Sequence, residues 1–198
     1  MRILFVLALC AVALECERPD LVFEQAPPPT TFVGLRQLMG PPPTGPCVLP
    51  SVRLLVDSLN PITLGDSATL RLPPGWQTSA LHPRDDEYAD TRLALPGGAR
   101  ILIQRQRNGA RGRSYLMYRP GVLAKGTTCT LERAQTGAIW SRYRPDPQDT
   151  TRLLKYTALG AVVTPAGHWY SVSLWTASES DQSRLASILT EAMLLPPR

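Results

Sequence analysis

Residues 168–197, HWYSVSLWTASESDQSRLASILTEAMLLPP, join the clearest β-strand pattern of the chain to its one convincing helix pattern. Successive residues of 168–176 alternate between the two faces of a strand, and Tyr170, Val172 and Leu174 share one of them. The other face carries two tryptophans separated by serines. Because tryptophans are usually largely buried, we favour a face covered by a neighbouring helix or loop over an exposed aromatic stripe.

The residues after this strand predict an amphipathic C-terminal helix. Ser178, with Asp181 three residues later, fits a capping box at its start, and Pro196 and Pro197 end it. Apolar side chains recur at i, i+3, i+4, i+7 and i+8, which lines one face of a helix. These residues are Leu185, Ile188, Leu189, Ala192 and Met193.

Short β-type runs dominate the sequence upstream of this unit. Strands are predicted at residues 52–56, 68–72, 91–95, 99–104, 114–118, 127–133 and 138–143. Pro96-Gly97-Gly98 is a hairpin signal, and 152–163 predicts one bent strand or two, with Gly160 as the kink. The fold class predicted from these elements is α+β: a mainly antiparallel β-sheet with a flanking helix and an amphipathic C-terminal helix.

Size and composition set the domain organisation. The chain has 198 residues, 43% of them hydrophobic and 19% charged, which argues against disorder throughout. Consecutive prolines between residues 24 and 50 exclude a sustained helix or a central strand. We therefore predict a signal peptide at 1–15, a proline-rich tether at 16–50 and a single α+β domain at 51–198.

The N-terminal residues predict export. Met1 and Arg2 form a minimal positive region, 3–12 is an apolar run, and small residues lie near its end at 11 and 13. This run is shorter than the ~20 apolar residues that span a bilayer, so it is typical of a secretion signal rather than a membrane span. The mature chain is expected in the periplasm or tethered to a membrane.

Cys16 lies where a bacterial lipoprotein carries its lipidated cysteine, although Glu15 replaces the small residue that normally precedes it. Lipidation of Cys16 would leave Cys47 and Cys129 to pair in an oxidising compartment without an odd thiol. A lipid-anchored form and a soluble periplasmic form both remain open.

Positive charge is carried almost entirely by arginine, and the net charge is +5. Nucleic-acid binding is not predicted, since it needs cations clustered on one surface and the chain is expected outside the cell. A predicted loop or hairpin tip at Asn108-Gly109 is either a solubilising loop or a contact for an anionic surface or acidic partner. The anion-binding candidates around this tip are Arg105, Arg107, Arg111 and Arg113.

Catalytic and metal-binding motifs are missing from the sequence. It contains two histidines, no Cys-x-x-Cys or His-x-x-x-His pair and no Gly-x-Ser-x-Gly elbow. We therefore assign no catalytic residue, no metal ligand and no cofactor. His82 precedes a proline and an acidic run that together are typical of a solvated loop, and His168 opens the tryptophan strand.

The order of the motifs resembles the layout of PsbP-like proteins over about residues 68–195. The resemblance is carried by ATLRLPPGW at 68–76, the series of hairpins, and GHWYSVSLW at 167–175 running into the terminal helix. It implies an antiparallel sheet flanked by helices and a binding or assembly role rather than an enzymatic one. The chain departs from the family by lacking a helix between the early strands, unless 120–125 forms a short one.

These observations predict an exported, non-catalytic binding or assembly domain of the cell envelope, with or without a lipid anchor. Its partner would be an envelope protein or an anionic surface, and it would meet a membrane only through that anchor. The alternative is a periplasmic hydrolase with a dispersed site around His82 or His168. A catalytic histidine would then need a nucleophile and a carboxylate within ~3 Å.

We predict that Cys47 and Cys129 form a disulfide between the tether and the sheet. Closing a loop of about 80 residues restricts the unfolded chain and stabilises the fold by about 4 kcal/mol. Peptide mapping without reduction should find a tether peptide linked to the peptide that contains Cys129. Recovery of Cys129 as a free thiol, with Cys47 paired to Cys16, would contradict the prediction.

Overall fold

The computed structural model describes residues 31, 33–34, 49–81, 89–95, 98–106, 127–133, 135–143 and 153–196. These residues form two antiparallel sheets, a short 3-10 helix and a C-terminal α-helix, which confirms the predicted α+β class, and residues 33–34 are helical as well. The elements are the 3-10 helix Val56–Ser58, β1 (Asn60–Thr63), β2 (Thr69–Leu72), β3 (Gln77–Ser79), β4 (Thr91–Ala94), β5 (Arg100–Gln106), β6 (Thr127–Arg133), β7 (Thr136–Tyr143), β8 (Tyr156–Val163), β9 (Trp169–Thr176) and α1 (Glu179–Leu194).

The large sheet has seven strands in the order β3-β4-β5-β9-β8-β7-β6, and β1 and β2 form a separate hairpin. Strands β3 to β5 and strands β6 to β8 are each consecutive antiparallel runs. The last strand, β9, lies between them and pairs with both β5 and β8. The final strand of the chain therefore joins two halves that are separate in sequence.

Helix α1 packs on one face of this sheet, against β7, β8 and β9, and also contacts β2 of the hairpin. Its start is capped as predicted, because the Ser178 hydroxyl oxygen accepts a hydrogen bond of 3.1 Å from the backbone N–H of Asp181. The five predicted apolar positions of the helix are all buried. Trp140 of β7 anchors the contact, since its indole N–H donates to the Thr190 hydroxyl at 2.8 Å.

The opposite face of the sheet is buried as well. Trp169 is 2% exposed, and Leu102, Ile139 and Leu159 on the same face are also buried. This confirms that the tryptophan face of β9 is a covered surface. Trp175 at the far end of the strand is partly buried, and the guanidinium of Arg100 lies 4.7 Å from its ring centre.

One predicted strand is absent from the structure. Residues 52–56 form no strand: the 3-10 helix starts at Val56, and the first strand, β1, instead begins at Asn60 and contains Pro61. Of the two alternatives predicted for 152–163, the structure has the single strand, β8, which begins at Tyr156 and pairs residue by residue through Gly160 with both neighbours. The predicted strand at 114–118 lies outside the described residues.

Gly160 leaves room for a neighbouring side chain. It lies directly opposite Trp140 in the pairing of β7 with β8. A Cβ atom at this position would come within 2.7 Å of three carbons of the Trp140 indole. The indole cannot easily move away, because it is fully buried and hydrogen bonded to Thr190 of the helix.

We expect Gly160→Ala to lower the free energy of unfolding by about 1–3 kcal/mol through overpacking against Trp140. This exceeds the ~0.5–1 kcal/mol that alanine gains over glycine in regular structure. The coupling energy between positions 160 and 140 is measured by urea unfolding of Gly160→Ala, Trp140→Leu and the double variant. In the Trp140→Leu background the alanine should be neutral or stabilising, and an equal cost in both backgrounds would contradict the contact.

Candidate functional site

A cluster of polar side chains lies where the β1–β2 turn meets the end of β5 and the start of β9. Its members are Asp66, Arg105, His168 and Tyr170. Arg105 and Tyr170 are directly paired in the sheet, and their side chains lie on the face that carries α1. His168 comes just before β9, and Asp66 reaches the cluster from the hairpin turn.

Asp66 is the centre of the cluster. Its Oδ2 accepts a hydrogen bond of 2.8 Å from the Tyr170 hydroxyl and lies 3.4 Å from Nη1 of Arg105. Its side chain is 1% exposed, whereas that of Arg105 is 28% exposed. The other guanidinium nitrogen, Nη2 of Arg105, lies 2.9 Å from Nδ1 of His168. One buried carboxylate therefore has both a neutral donor and a cation as partners.

The turn that carries Asp66 is held in place by its own hydrogen bonds. Asp66 Oδ1 accepts from the backbone N–H of Ala68 at 3.1 Å, and the turn is closed by Leu64 and Ala68. Gly65 donates its N–H to the Thr91 hydroxyl at 2.7 Å, which docks the turn on β4. Only glycine fits there, because a Cβ at position 65 would overlap a backbone carbonyl.

Burial and the neighbouring charges set the protonation of the ring groups. Burial lowers the pKa of His168 below its ordinary 6.5, the Arg105 guanidinium lowers it further, and Asp66 acts in the opposite direction. The imidazole is therefore neutral at pH 7. Burial raises the pKa of Tyr170, and its hydrogen bond to Asp66 adds to that rise. Tyr170 thus remains a hydrogen-bond donor.

This arrangement does not match a hydrolytic triad. Among the described residues, no serine, cysteine or threonine hydroxyl or thiol is hydrogen bonded to the His168 ring, which faces Arg105 instead. The Asp66 carboxylate is engaged by Tyr170 and Arg105. Nor does the described part of the chain contain a group of three His, Cys, Asp or Glu residues that could hold a metal ion.

The cluster borders a pocket of about 510 Å³ between β2, the β8–β9 turn and the C-terminal end of α1. His168 and Tyr170 form part of its wall, and Arg71 of β2 forms another part. Arg71 donates from Nη2 to the backbone carbonyl of Pro196 at 3.2 Å. Its Nη1 is buried and has no hydrogen-bond partner in the described part of the chain.

The structure places few of the sequence-predicted site residues. Arg105 lies in β5, next to the end of the strand, and contacts Asp66 and His168. Cys129 lies in β6 with its side chain fully buried, opposite Trp140. The other predicted residues, Cys16, Cys47, His82, Arg107, Arg111 and Arg113, lie outside the described residues, so the lipid anchor, the disulfide and the anion-binding tip stay predictions.

The sequence pattern did not indicate Asp66, Tyr170 or Arg71 as site residues. Tyr170 fits the apolar face of its strand, and Arg71 fits an ordinary alternating strand. Asp66 could have been found from the turn sequence Leu64-Gly65-Asp66-Ser67. In such a turn the aspartate side chain accepts a hydrogen bond from the backbone N–H two residues later.

No protein-family model, characterised protein or solved structure matches this chain. In the ranges that the structure describes, no helix is both long and apolar enough to span a membrane.

We expect NMR titration to give a pKa of His168 below 6.5, and Arg105→Gln to raise it, because the variant removes a positive charge beside the ring. Arg133→Gln, which removes an arginine of the distant strand β6, is the matched control and should leave it unchanged. The His168 signal is assigned by its loss in His168→Gln.

The lowered pKa of His168 makes the stability of the fold depend on pH. The His168 imidazole binds a proton more readily in the unfolded chain than in the folded one, so the free energy of unfolding should decrease as the pH falls through about 6.5. His168→Gln should flatten that part of the pH profile. A pKa of His168 at or above 6.5, or an equal response to both arginine variants, would contradict this account.

Proposed function

We propose that this chain is an exported domain, with or without a lipid anchor at Cys16, that binds or assembles with another component of the cell envelope and performs no chemistry of its own. The N-terminal pattern supports export, and the proline-rich segment suits a domain held away from a membrane. The PsbP-like order of strands and terminal helix supports a binding or assembly role. The partner would be an envelope protein or another component with an anionic surface.

The observation that carries this proposal is the environment of His168. A general base must present a nitrogen lone pair to the proton of a nucleophile. Here the ring nitrogens face a cationic donor, with Arg105 Nη2 at 2.9 Å from Nδ1 and 3.2 Å from Nε2. The nearby carboxylate of Asp66, which could orient a catalytic histidine, is bonded to Tyr170.

The pocket beside this cluster supports binding. It is partly open, has a largely apolar wall and contains few polar groups, which is the usual composition of a ligand site. The hydrolase alternative gains nothing from the geometry at His168, and His82 lies outside the described residues.

Export and anchoring are tested by expressing the full chain with a C-terminal epitope tag in a Gram-negative bacterial host. We expect the mature chain, without its signal, in the periplasm or the membrane fraction, as measured by fractionation and by mass spectrometry of its N-terminus. If the chain is lipid-anchored, Cys16→Ser should move it from the membrane fraction to the soluble periplasm. If the chain is already soluble, the same variant should not change its fraction. An unprocessed cytoplasmic chain would refute the proposal.

The binding role is tested on the same chain with a photo-crosslinking residue at position 69, an exposed position on the pocket wall. Position 184, exposed on α1 and away from this pocket, is the matched control. We expect an envelope adduct at position 69 only. In a separate assay, the purified wild type and His168→Ala should hydrolyse ester, amide and phosphoester substrates at the same background rate. Turnover that His168→Ala abolishes, or the lack of any adduct at position 69, would refute the proposal.

A further inference from the structure

We infer that the pocket between β2, the β8–β9 turn and the end of α1 binds a small amphiphile whose alkyl chain ends in a carboxylate. This inference deepens the binding function proposed above and rests on it, because it names the class of ligand for the same site. It follows from the shape of the pocket, the composition of its wall and the unpaired state of one arginine nitrogen.

The wall of the pocket is built mainly from aliphatic side chains. Those that define its apolar part are Leu64, Leu70, Ala192, Met193, Leu195 and Pro196. A volume of about 510 Å³ is within the range of ordinary small-ligand sites. Methionine fits irregular ligands well, because its unbranched side chain is flexible and polarizable. An apolar wall of this kind favours a ligand with an alkyl body.

Arg71 provides the polar anchor. Its Nη2 is bonded to the Pro196 carbonyl, whereas Nη1 is buried and has no partner among the residues whose placement the structure gives. Buried guanidinium nitrogens are normally paired, since an unsatisfied donor loses its hydration without compensation. A ligand oxygen at Nη1 would restore the missing hydrogen bond.

The charged side chains of the pocket wall favour an anionic ligand. The described residues of the wall include two basic side chains, Arg71 and His168, and no aspartate or glutamate. Asp66 is hydrogen bonded to Tyr170 and already paired with Arg105. A ligand anion would therefore meet no carboxylate of the described pocket wall.

A carboxylate fits this anchor better than a phosphate. His168 is neutral at pH 7, and Nη2 of Arg71 is already bonded to a carbonyl, so the described part of the wall offers one full positive charge and one unpaired guanidinium nitrogen, Nη1. A singly charged head matches this, whereas phosphate groups are usually held by several cationic donors. The C-terminal end of α1 contributes about half a negative charge nearby, which the full charge of Arg71 outweighs.

Decanoate, below its micelle concentration, is the probe, and calorimetric titration of the mature full chain measures its binding. Decanol, decyltrimethylammonium and acetate are the comparison ligands. We expect decanoate to bind at least about tenfold more tightly than each of them, because only decanoate combines the anion with the alkyl body. No binding of decanoate, or equal binding of decanol, would overturn the inference.

Two variants locate the site. Arg71→Gln should weaken decanoate binding about tenfold or more, whereas Arg184→Gln, an exposed arginine on α1 beside a separate pocket, should change it less than about twofold. Ala166→Trp enters the pocket from its exposed rim in the β8–β9 turn and should also abolish binding without altering the core. Unfolding curves of each variant show whether it remains folded.

The outcomes separate this inference from the proposed function. Loss of binding in Arg184→Gln, or normal binding in both Arg71→Gln and Ala166→Trp, would place the ligand elsewhere and overturn the inference. If decanoate does not bind but the envelope adduct at position 69 persists, only the ligand class is wrong. If the chain is not exported or hydrolyses substrate through His168, the proposed function fails even where decanoate binds.

Discussion

The pairing of β9 with both β5 and β8 is the constraint on which the rest of the structure depends. Strand β9 contributes seven residue pairs with β5 and eight with β8, and it comes last among the strands. Without it, the two halves of the sheet would each end in an unpaired edge. The same strand leads directly into α1, so its position also places the helix over the sheet. Sheet, helix and polar cluster are therefore assembled by one late segment of the chain.

The buried carboxylate of Asp66 shows how this assembly is made specific. A carboxylate that loses its hydration costs several kcal/mol unless it gains charged and neutral donors, and Asp66 gains one of each. Because Arg105 is 28% exposed, its attraction for Asp66 is partly screened, so the pair adds little net stability. Its main effect is positional, since Asp66 reaches Tyr170 and Arg105 only when the hairpin turn is docked on β5 and β9. This docking creates the wall of the pocket on which both proposals depend.

The pocket arises where three elements meet without filling the space between them. The hairpin approaches the end of α1 closely enough for Arg71 to reach the Pro196 carbonyl. The β8–β9 turn closes the third side and brings His168 to the wall. A rigid sheet with a helix on one face thus supports a site at its edge, where polar groups can be placed without disturbing the apolar core.

Local patterns in the sequence determined much of the fold. The alternation around Val172, the apolar helix face and the Ser178 cap each depend on neighbouring residues alone, and the structure confirms all three. The hairpin at Pro96-Gly97-Gly98 was predictable for the same reason, and β4 and β5 pair as expected. Strand β1 was missed, because Pro61 weakens any strand pattern and only pairing with β2 stabilises it.

The tertiary structure alone decided the site and its contacts. Asp66 and Tyr170 are 104 residues apart in sequence, and nothing local to either indicates that they are hydrogen bonded. Arg105 belongs to an arginine-rich stretch, yet the register of β5 against β9 places it opposite Tyr170. Gly160 resembles a strand-breaking residue, and only the indole packed above it shows why a side chain is excluded. Patterns along a chain record which face a residue occupies, whereas its partners across a sheet depend on non-local pairing.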